Sequence, residues 1–309
     1  MPKTEETDDL ATVRDWLRYG VSRFNAAGLV YGHGTTTALD EAAYLILHTL
    51  HLPIDQLDPW LDARLLAPER RALRLAIERR IATRKPVAYL TGQAWIQGYS
   101  FYVDERVIVP RSYIGELICQ HMKEPSEHWH LGFDPAGIGS ALELCTGSGC
   151  LAVLLALALP AVRIDACDIS ADALAVAERN VGDYGLQGRI SLLRSDLFEA
   201  VKGRHYDLII ANPPYVSADA IAAFPPEYAA EPRIAHAGGA DGQDIVRRIL
   251  AEAGEHLSAG GSLLVEVGSG RRILEAEFPD LPFLWLDTAH SAGEVFQLPA
   301  YALSASAGG

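Results

Sequence analysis

The sequence predicts an α/β protein: a mostly parallel sheet covered by helices on both faces and ended by an antiparallel last strand, preceded by a small N-terminal helical domain and a linking β-hairpin. Three observations carry this prediction. From Ser140 onward, short aliphatic and β-branched runs alternate with helical patterns. A glycine-rich turn, Glu143-Leu144-Cys145-Thr146-Gly147-Ser148-Gly149-Cys150, leads from the first of those strands into the first of those helices. The residues before 93 show only helical periodicity. The expected division is 1–92 for a helical substrate-recognition domain, 93–138 for the hairpin and linker, and 139–309 for the α/β domain.

Taken in order, Leu10, Val13, Leu17, Val21 and Phe24 recur at three- and four-residue spacing, which predicts a helix over 8–27 with Thr7 and Asp8 available as caps. A second helix fits 40–52, a weaker helical piece 57–66, and Pro68 opens an arginine-rich helix in its first turn. Over 93–110 the pattern switches to aromatic and β-branched residues, with Asp104-Glu105-Arg106 as the expected turn of a hairpin. A short helix over 113–122 and a polar linker over 123–139 follow. Strands are then predicted at 141–144, 162–168, 190–194, 206–211, 262–267, 283–286 and 294–298, with helices running to Leu159 and starting from Ala171, Asp241 and Ser269. The last two read as an antiparallel ending, and the Ala-Ser-Gly tail as mobile.

A net charge of −14 argues against a general nucleic-acid binder, whose affinity comes from Lys and Arg on phosphates, and favours a basic partner. The exception is 70–85, where Arg70, Arg71, Arg74, Arg79, Arg80, Arg84 and Lys85 crowd one helix. With Leu73, Ile77 and Ile81 as an apolar stripe opposite, this reads first as a solvated face and second as a patch for RNA contact. Sequence-specific DNA binding is not expected. Neither is membrane contact, since the apolar run 151–159 falls far short of the roughly 20 residues a bilayer requires. Met1-Pro2-Lys3-Thr4-Glu5-Glu6 carries no apolar signal core, so a cytoplasmic protein is expected. Cys119, Cys145, Cys150 and Cys167 show no C-x-x-C pairing, and His121, His128 and His130 lack companions at matching spacing; reduced thiols and no metal are expected.

The most informative stretch is Asn212-Pro213-Pro214-Tyr215, placed directly after the apolar run Leu208-Ile209-Ile210-Ala211. The prolines fix φ and donate no N–H, leaving the Pro213 carbonyl and the Asn212 side chain as rigid acceptors beside an aromatic ring. Such a site suits an NH₂ group whose delocalised lone pair must be localised toward an electrophile. Upstream, Gly147 and Gly149 let a ligand approach a helix N-terminus, and Asp168 ends the second strand where an acidic residue meets ribose hydroxyls. Gly147-x-Gly149-x-x-Ala152 followed by Asp168 also fits a dinucleotide fingerprint. Glu143, able to attract an amino-acid ammonium, and the amide clamp at Asn212 tilt the reading toward S-adenosylmethionine. Asp196 stands after the third strand, either near an adenine or as a helix cap.

With these residues in place, the chain resembles the class I S-adenosylmethionine-dependent methyltransferases of Rossmann-like fold, and within them the protein-glutamine N5-methyltransferases. The resemblance runs from Trp16 to Leu298 and rests on Tyr31-Gly32-His33-Gly34-Thr35, Pro86-Val87-Ala88-Tyr89-Leu90, Phe101-Tyr102-Val103-Asp104-Glu105, Val109-Pro110-Arg111-Ser112, Thr146-Gly147-Ser148-Gly149-Cys150 and Asn212-Pro213-Pro214-Tyr215-Val216. It implies that Cys145, Thr146, Gly147, Ser148 and Gly149 line the methionine part of the cofactor, Asp168 the ribose, and Asp196 with Leu197 the adenine region. Asn212 and Pro213 would accept hydrogen bonds from a glutamine amide, with Pro214 and Tyr215 against it and Tyr102 closing the pocket. Cys145 stands where many relatives have glycine. The implied substrate is large-subunit ribosomal protein L-three, a basic partner met before or during ribosome assembly. A peptide chain release factor and, more distantly, a nucleic-acid adenine are the alternatives, and the segments at Tyr31 and Val109 favour the ribosomal branch.

Overall fold

The structure, a computed structural model, describes residues 7, 9–123 and 137–304. Asp8, the part of the expected linker holding His128 and His130, and the tail beyond residue 304 lie outside the described residues. Two compact units are present. One is the chain up to Gln93 together with Pro225–Ala230; the other is Ala94–Phe224 with the chain from Glu231 onward.

In the first unit, helices α1 (Val13–Ala26), α2 (Ala38–Thr49), α3 (Ala67–Thr83) and α4 (Val87–Thr91) close over Trp16, Phe24, Ile46, Leu73 and Ile77. Each fully buried aliphatic or phenyl side chain of this kind contributes about 1.5–3 kcal/mol. The helix expected over 8–27 starts only at Val13, because Thr12 caps it reciprocally. Its hydroxyl accepts the Asp15 N–H at 3.2 Å while the Asp15 carboxylate accepts the Thr12 N–H at 2.8 Å. Of the piece expected over 57–66, only a 3₁₀ turn at Asp58–Trp60 forms. Pro68 does sit in the first turn of α3. The arginines of α3 are not all a solvated face: Arg80 is fully buried, and its Nε pairs with the equally buried Glu41. Glu227, from the returning segment, accepts the Val30 N–H at 3.0 Å and pairs with Arg84 at 2.7 Å.

The hairpin consists of β1 (Gln93–Ile96) and β2 (Tyr99–Tyr102). Its turn is Gln97-Gly98, with φ of +51° and +87°, not the expected Asp104-Glu105-Arg106. A two-residue loop with both φ values positive matches the twist of the strands, and Gly98 takes such a φ without strain. The segment Asp104–Val107 makes a separate turn, with the Val107 N–H on the Asp104 carbonyl at 3.1 Å, so Val107, Ile108 and Val109 are not strand.

After α5 (Tyr113–Lys123) come β3 (Ser140–Leu144), α6 (Cys150–Ala158), β4 (Arg163–Asp168), α7 (Ala171–Asp183), β5 (Ile190–Arg194), β6 (Tyr206–Ala211), α8 (Ala218–Ala222), α9 (Asp244–Glu252), β7 (Leu257–Glu266), α10 (Arg271–Glu277), β8 (Leu284–Asp287), β9 (Ala292–Pro299) and α11 (Ala300–Ser304). Among the described residues these strands form one seven-stranded sheet in the order β5-β4-β3-β6-β7-β9-β8. As expected, it is parallel except for β9, which runs antiparallel to both β7 and β8. Alternate residues of β6 explain the layering. Leu208 and Ile210 join the core under α5 and α6, while Ile209 and Ala211 join the core under α9 and α10. From β3 the chain winds outward to β4 and β5, then restarts on the other side at β6. The carboxyl ends of β3 and β6 therefore flank a switch point, where open α/β sheets bind ligands.

Candidate active site

A cavity of about 220 Å³ opens over these strand ends, and Cys145, Gly147, Asp168, Asp196, Leu197 and Asn212 of the expected residues line it. Two wall residues, Cys145 (φ +57°) and Leu197 (φ +46°), hold a left-handed backbone. Such a conformation costs an L-residue about 1–2 kcal/mol. Strain of this kind at a ligand-facing turn marks a place where chain direction matters more than local comfort.

The glycine-rich turn is built from beneath. Glu143 is fully buried and accepts the Thr146 hydroxyl at 2.6 Å and the Ala152 N–H, in the first turns of α6, at 2.9 Å. Burial pushes its carboxyl up to about 8. Expected to meet an ammonium group, Glu143 is instead outside the cavity wall and committed to the loop. The Thr146 N–H donates to the Cys167 carbonyl at 2.9 Å, and the Gly147 N–H to Asp168 Oδ2 at 2.8 Å. Thr146, Ser148 and Gly149 shape this loop without lining the cavity. The two glycines differ in purpose. A Cβ on Gly147 (φ +55°) would meet nothing within 4 Å, whereas one on Gly149 (φ +77°) would lie 3.0 Å from the Ala177 Cβ of α7.

Asp168 accepts the Ser170 N–H at 2.9 Å through its other oxygen, and burial holds its carboxyl above the ordinary value. Asp196 is paired with Arg248 at 2.9 Å, and both line the cavity. Arg248, Arg106, Ile169 and Ile234 belong to the wall but were not picked out by sequence reasoning. Ile169 and Ile234 are 48% and 56% exposed, so apolar side chains stand in solvent at this cavity. For Ile169 a signal exists, because it directly follows Asp168; Ile234 and Arg248 lie in segments with no motif.

Asn212 follows β6, and its Nδ2 donates to the main-chain carbonyl of Arg111 at 3.2 Å. A carbonyl only accepts, so this contact assigns the amide nitrogen to that side and leaves Oδ1 as the acceptor. Arg111 is itself held. Its guanidinium forks onto Glu231 with two contacts of 2.8 Å, and Glu231 also accepts the Val109 N–H at 2.9 Å. Pro214 joins Asn212 in the wall; Pro213 is buried, and neither it nor Tyr215 lines the cavity. The Tyr215 hydroxyl donates to Glu266 at 3.1 Å. Its ring lies so close to Gly268 that a Cβ there would come within 2.8 Å. Glu266, buried, also accepts the Ser112 hydroxyl at 2.7 Å and the Tyr113 N–H at 2.9 Å, and burial pushes it up to about 7. The same burial holds the Tyr215 phenol well above its usual range.

Tyr102, expected to close the pocket, is not in the wall. Its hydroxyl donates to Asp104 at 2.8 Å, and the Arg179 guanidinium lies 3.5 Å over its ring. Among the described residues no cluster of His, Cys, Asp and Glu gathers at metal-ligand distance, and the four cysteines are free thiols. No described helix is long and apolar enough to cross a membrane.

A mostly parallel sheet with its switch point at β3 and β6, a glycine turn over Asp168 and an Asn-Pro-Pro-Tyr motif at the end of β6 define a methyltransferase. Residues 130–224 match the family model described as Methyltransferase small domain, and residues 15–92 the one described as PrmC N-terminal domain. The chain is 53% identical over 290 residues to the ribosomal protein uL3 glutamine methyltransferase of Bordetella pertussis, covering 94% of this chain and 95% of that protein. It is 51% identical to that of Bradyrhizobium diazoefficiens, covering 94% and 92%, and 52% identical to that of Neisseria gonorrhoeae, covering 95% and 96%. The chain belongs to the ribosomal protein uL3 glutamine methyltransferase family. Membership replaces the dinucleotide reading of the glycine turn, which the turn alone left open.

Proposed function

We propose that this chain methylates the side-chain amide nitrogen, N5, of a glutamine in ribosomal protein uL3, with S-adenosylmethionine as donor. The observation that carries the reading is the fixed amide of Asn212, a residue of the cavity wall: its nitrogen is tied to Arg111, which leaves its oxygen as the acceptor. A carboxamide nitrogen is a weak nucleophile because its lone pair is delocalised. Asn212 Oδ1 accepts one of its N–H groups, draws the nitrogen out of conjugation and aims it into the cavity; Tyr215, anchored on Glu266, keeps the loop in place. When bound, S-adenosylmethionine supplies an electrophilic methyl group on its sulfonium.

The cavity residues fit that group. Asp168 presents a half-buried carboxylate for ribose hydroxyls, the open space at Gly147 admits the methionine part beside Cys145, and Leu197 with Ile169 offers apolar surface for adenine near Asp196. With that donor bound, the N–C bond would form as the S–C bond breaks, and the surplus proton on nitrogen would pass to water. Positioning accounts for the rate, and no general base is required before attack.

The net charge of −14 suits a basic substrate protein captured in the cytoplasm before or during ribosome assembly. The test is incubation with labelled S-adenosylmethionine and purified uL3, release factor or bare RNA in separate reactions. Label in uL3, mapped by mass spectrometry to one glutamine, is expected; label in the release factor or the RNA alone overturns the reading.

A further inference from the structure

We propose that Glu231 is a positioning residue for methyl transfer, acting through Arg111 to decide which end of the Asn212 amide faces the cavity; the inference rests on the function proposed above. The Glu231 side chain is fully buried, yet it accepts the Val109 N–H at 2.9 Å and both terminal nitrogens of Arg111 at 2.8 Å, with His236 Nε2 lying 2.9 Å away. Arg111 also donates to the Val109 carbonyl at 3.2 Å, so the segment 109–111 is tied at both of its ends to one carboxylate. The carbonyl that this segment offers, that of Arg111, receives Asn212 Nδ2.

The terminal torsion of an asparagine is soft and nearly two-fold, so nothing in Asn212 itself prevents its oxygen and nitrogen from exchanging places. After such an exchange an NH₂ group would face the incoming NH₂ of a glutamine, donor against donor. The fixed Arg111 carbonyl forbids it, because an amide oxygen turned toward that carbonyl would put acceptor against acceptor. Glu231 is what fixes the carbonyl. A buried ion pair is weak evidence for stability, since apolar replacements of similar volume often match it. Its use here is direction. Glu231 directly precedes Pro232, and Pro232, Ile234 and Ala235 line the cavity.

The test compares wild type, Glu231→Gln and Arg111→Lys, each alone and combined with Asn212→Ala. Steady-state turnover on uL3, cofactor affinity by calorimetry and melting temperature are read for each. Glu231→Gln is expected to lower kcat about 10- to 100-fold. KM for uL3 and cofactor affinity should stay within about twofold of wild type, since only the amide's direction is lost. Placed on Asn212→Ala, it should slow turnover no further, because the group it directs is gone. A wild-type kcat in Glu231→Gln, or a loss that multiplies that of Asn212→Ala, overturns the proposal. If Glu231→Gln does not fold, Arg111→Lys, on a partly exposed side chain, carries the same readings. A wild-type chain inert on uL3 would instead sink the proposed function, and is told apart by the first measurement.

Discussion

Asn212 donates an amide N–H to the main-chain carbonyl of Arg111, 101 positions earlier in the chain, and this contact turns a flexible side chain into an oriented acceptor. Asn212→Asp tests whether orientation, rather than the presence of an oxygen, is what matters. The variant keeps an acceptor but cannot donate to the Arg111 carbonyl, and its charge is repelled by it. Turnover on uL3 is expected to fall at least ~100-fold, as when an aligned group is lost, with cofactor affinity by calorimetry little changed. Wild-type turnover in this variant would contradict the clamp.

Gly147 and Gly149 share a left-handed backbone but should fail differently. Gly149→Ala adds to the cost of that conformation a contact of 3.0 Å with Ala177, so a loss of about 2–4 kcal/mol in urea unfolding is expected. Gly147→Ala meets no atom and should cost about 1–2 kcal/mol. Its methyl group enters the space beside the cavity, so Gly147→Ala should weaken cofactor binding more than Gly149→Ala does.

Glu266 makes stability depend on pH. Its carboxyl is pushed from an ordinary 4.5 up to about 7, so the folded chain holds that proton more tightly than the unfolded chain. This contribution, of order 3 kcal/mol, is complete below pH about 4.5 and lost as pH rises through about 7. Glu143, pushed up to about 8, acts in the same sense. Glu266→Gln imitates the neutral form, so its melting temperature should fall less than that of wild type between pH 5 and 8. Parallel melting curves for the two proteins would refute this.

Arg80 and Glu41 form a pair with both side chains sealed from solvent. Arg80→Met leaves an uncompensated buried carboxylate and is expected to destabilise the first unit by about 3–5 kcal/mol in chemical denaturation. Adding Glu41→Leu should recover most of the loss, because no unpaired charge then remains. A double variant no more stable than Arg80→Met would show that packing, not charge, dominates there.

The strand and helix alternation from Ser140, the antiparallel ending, the glycine turn and the Asn-Pro-Pro-Tyr motif were all legible in the linear chain. Each depends on neighbours in sequence: periodicity over a few residues, the fixed φ of proline, the freedom of glycine. What tertiary structure decided is which of those groups meet. That Glu143 serves the loop, that Tyr215 and Tyr102 are held away from the cavity wall, and that Arg248 and Ile234 stand in it all follow from the packing of segments tens of residues apart. The hairpin turn at Gln97-Gly98 was misplaced for a more local reason, since a polar triplet competes with a single glycine until strand twist selects between them. Direction is the least local property of all. Asn212 announces an amide in the sequence, but only a carbonyl supplied by Arg111 and steadied by buried Glu231 determines where that amide points, because hydrogen-bond partners are chosen by space and not by order along the chain.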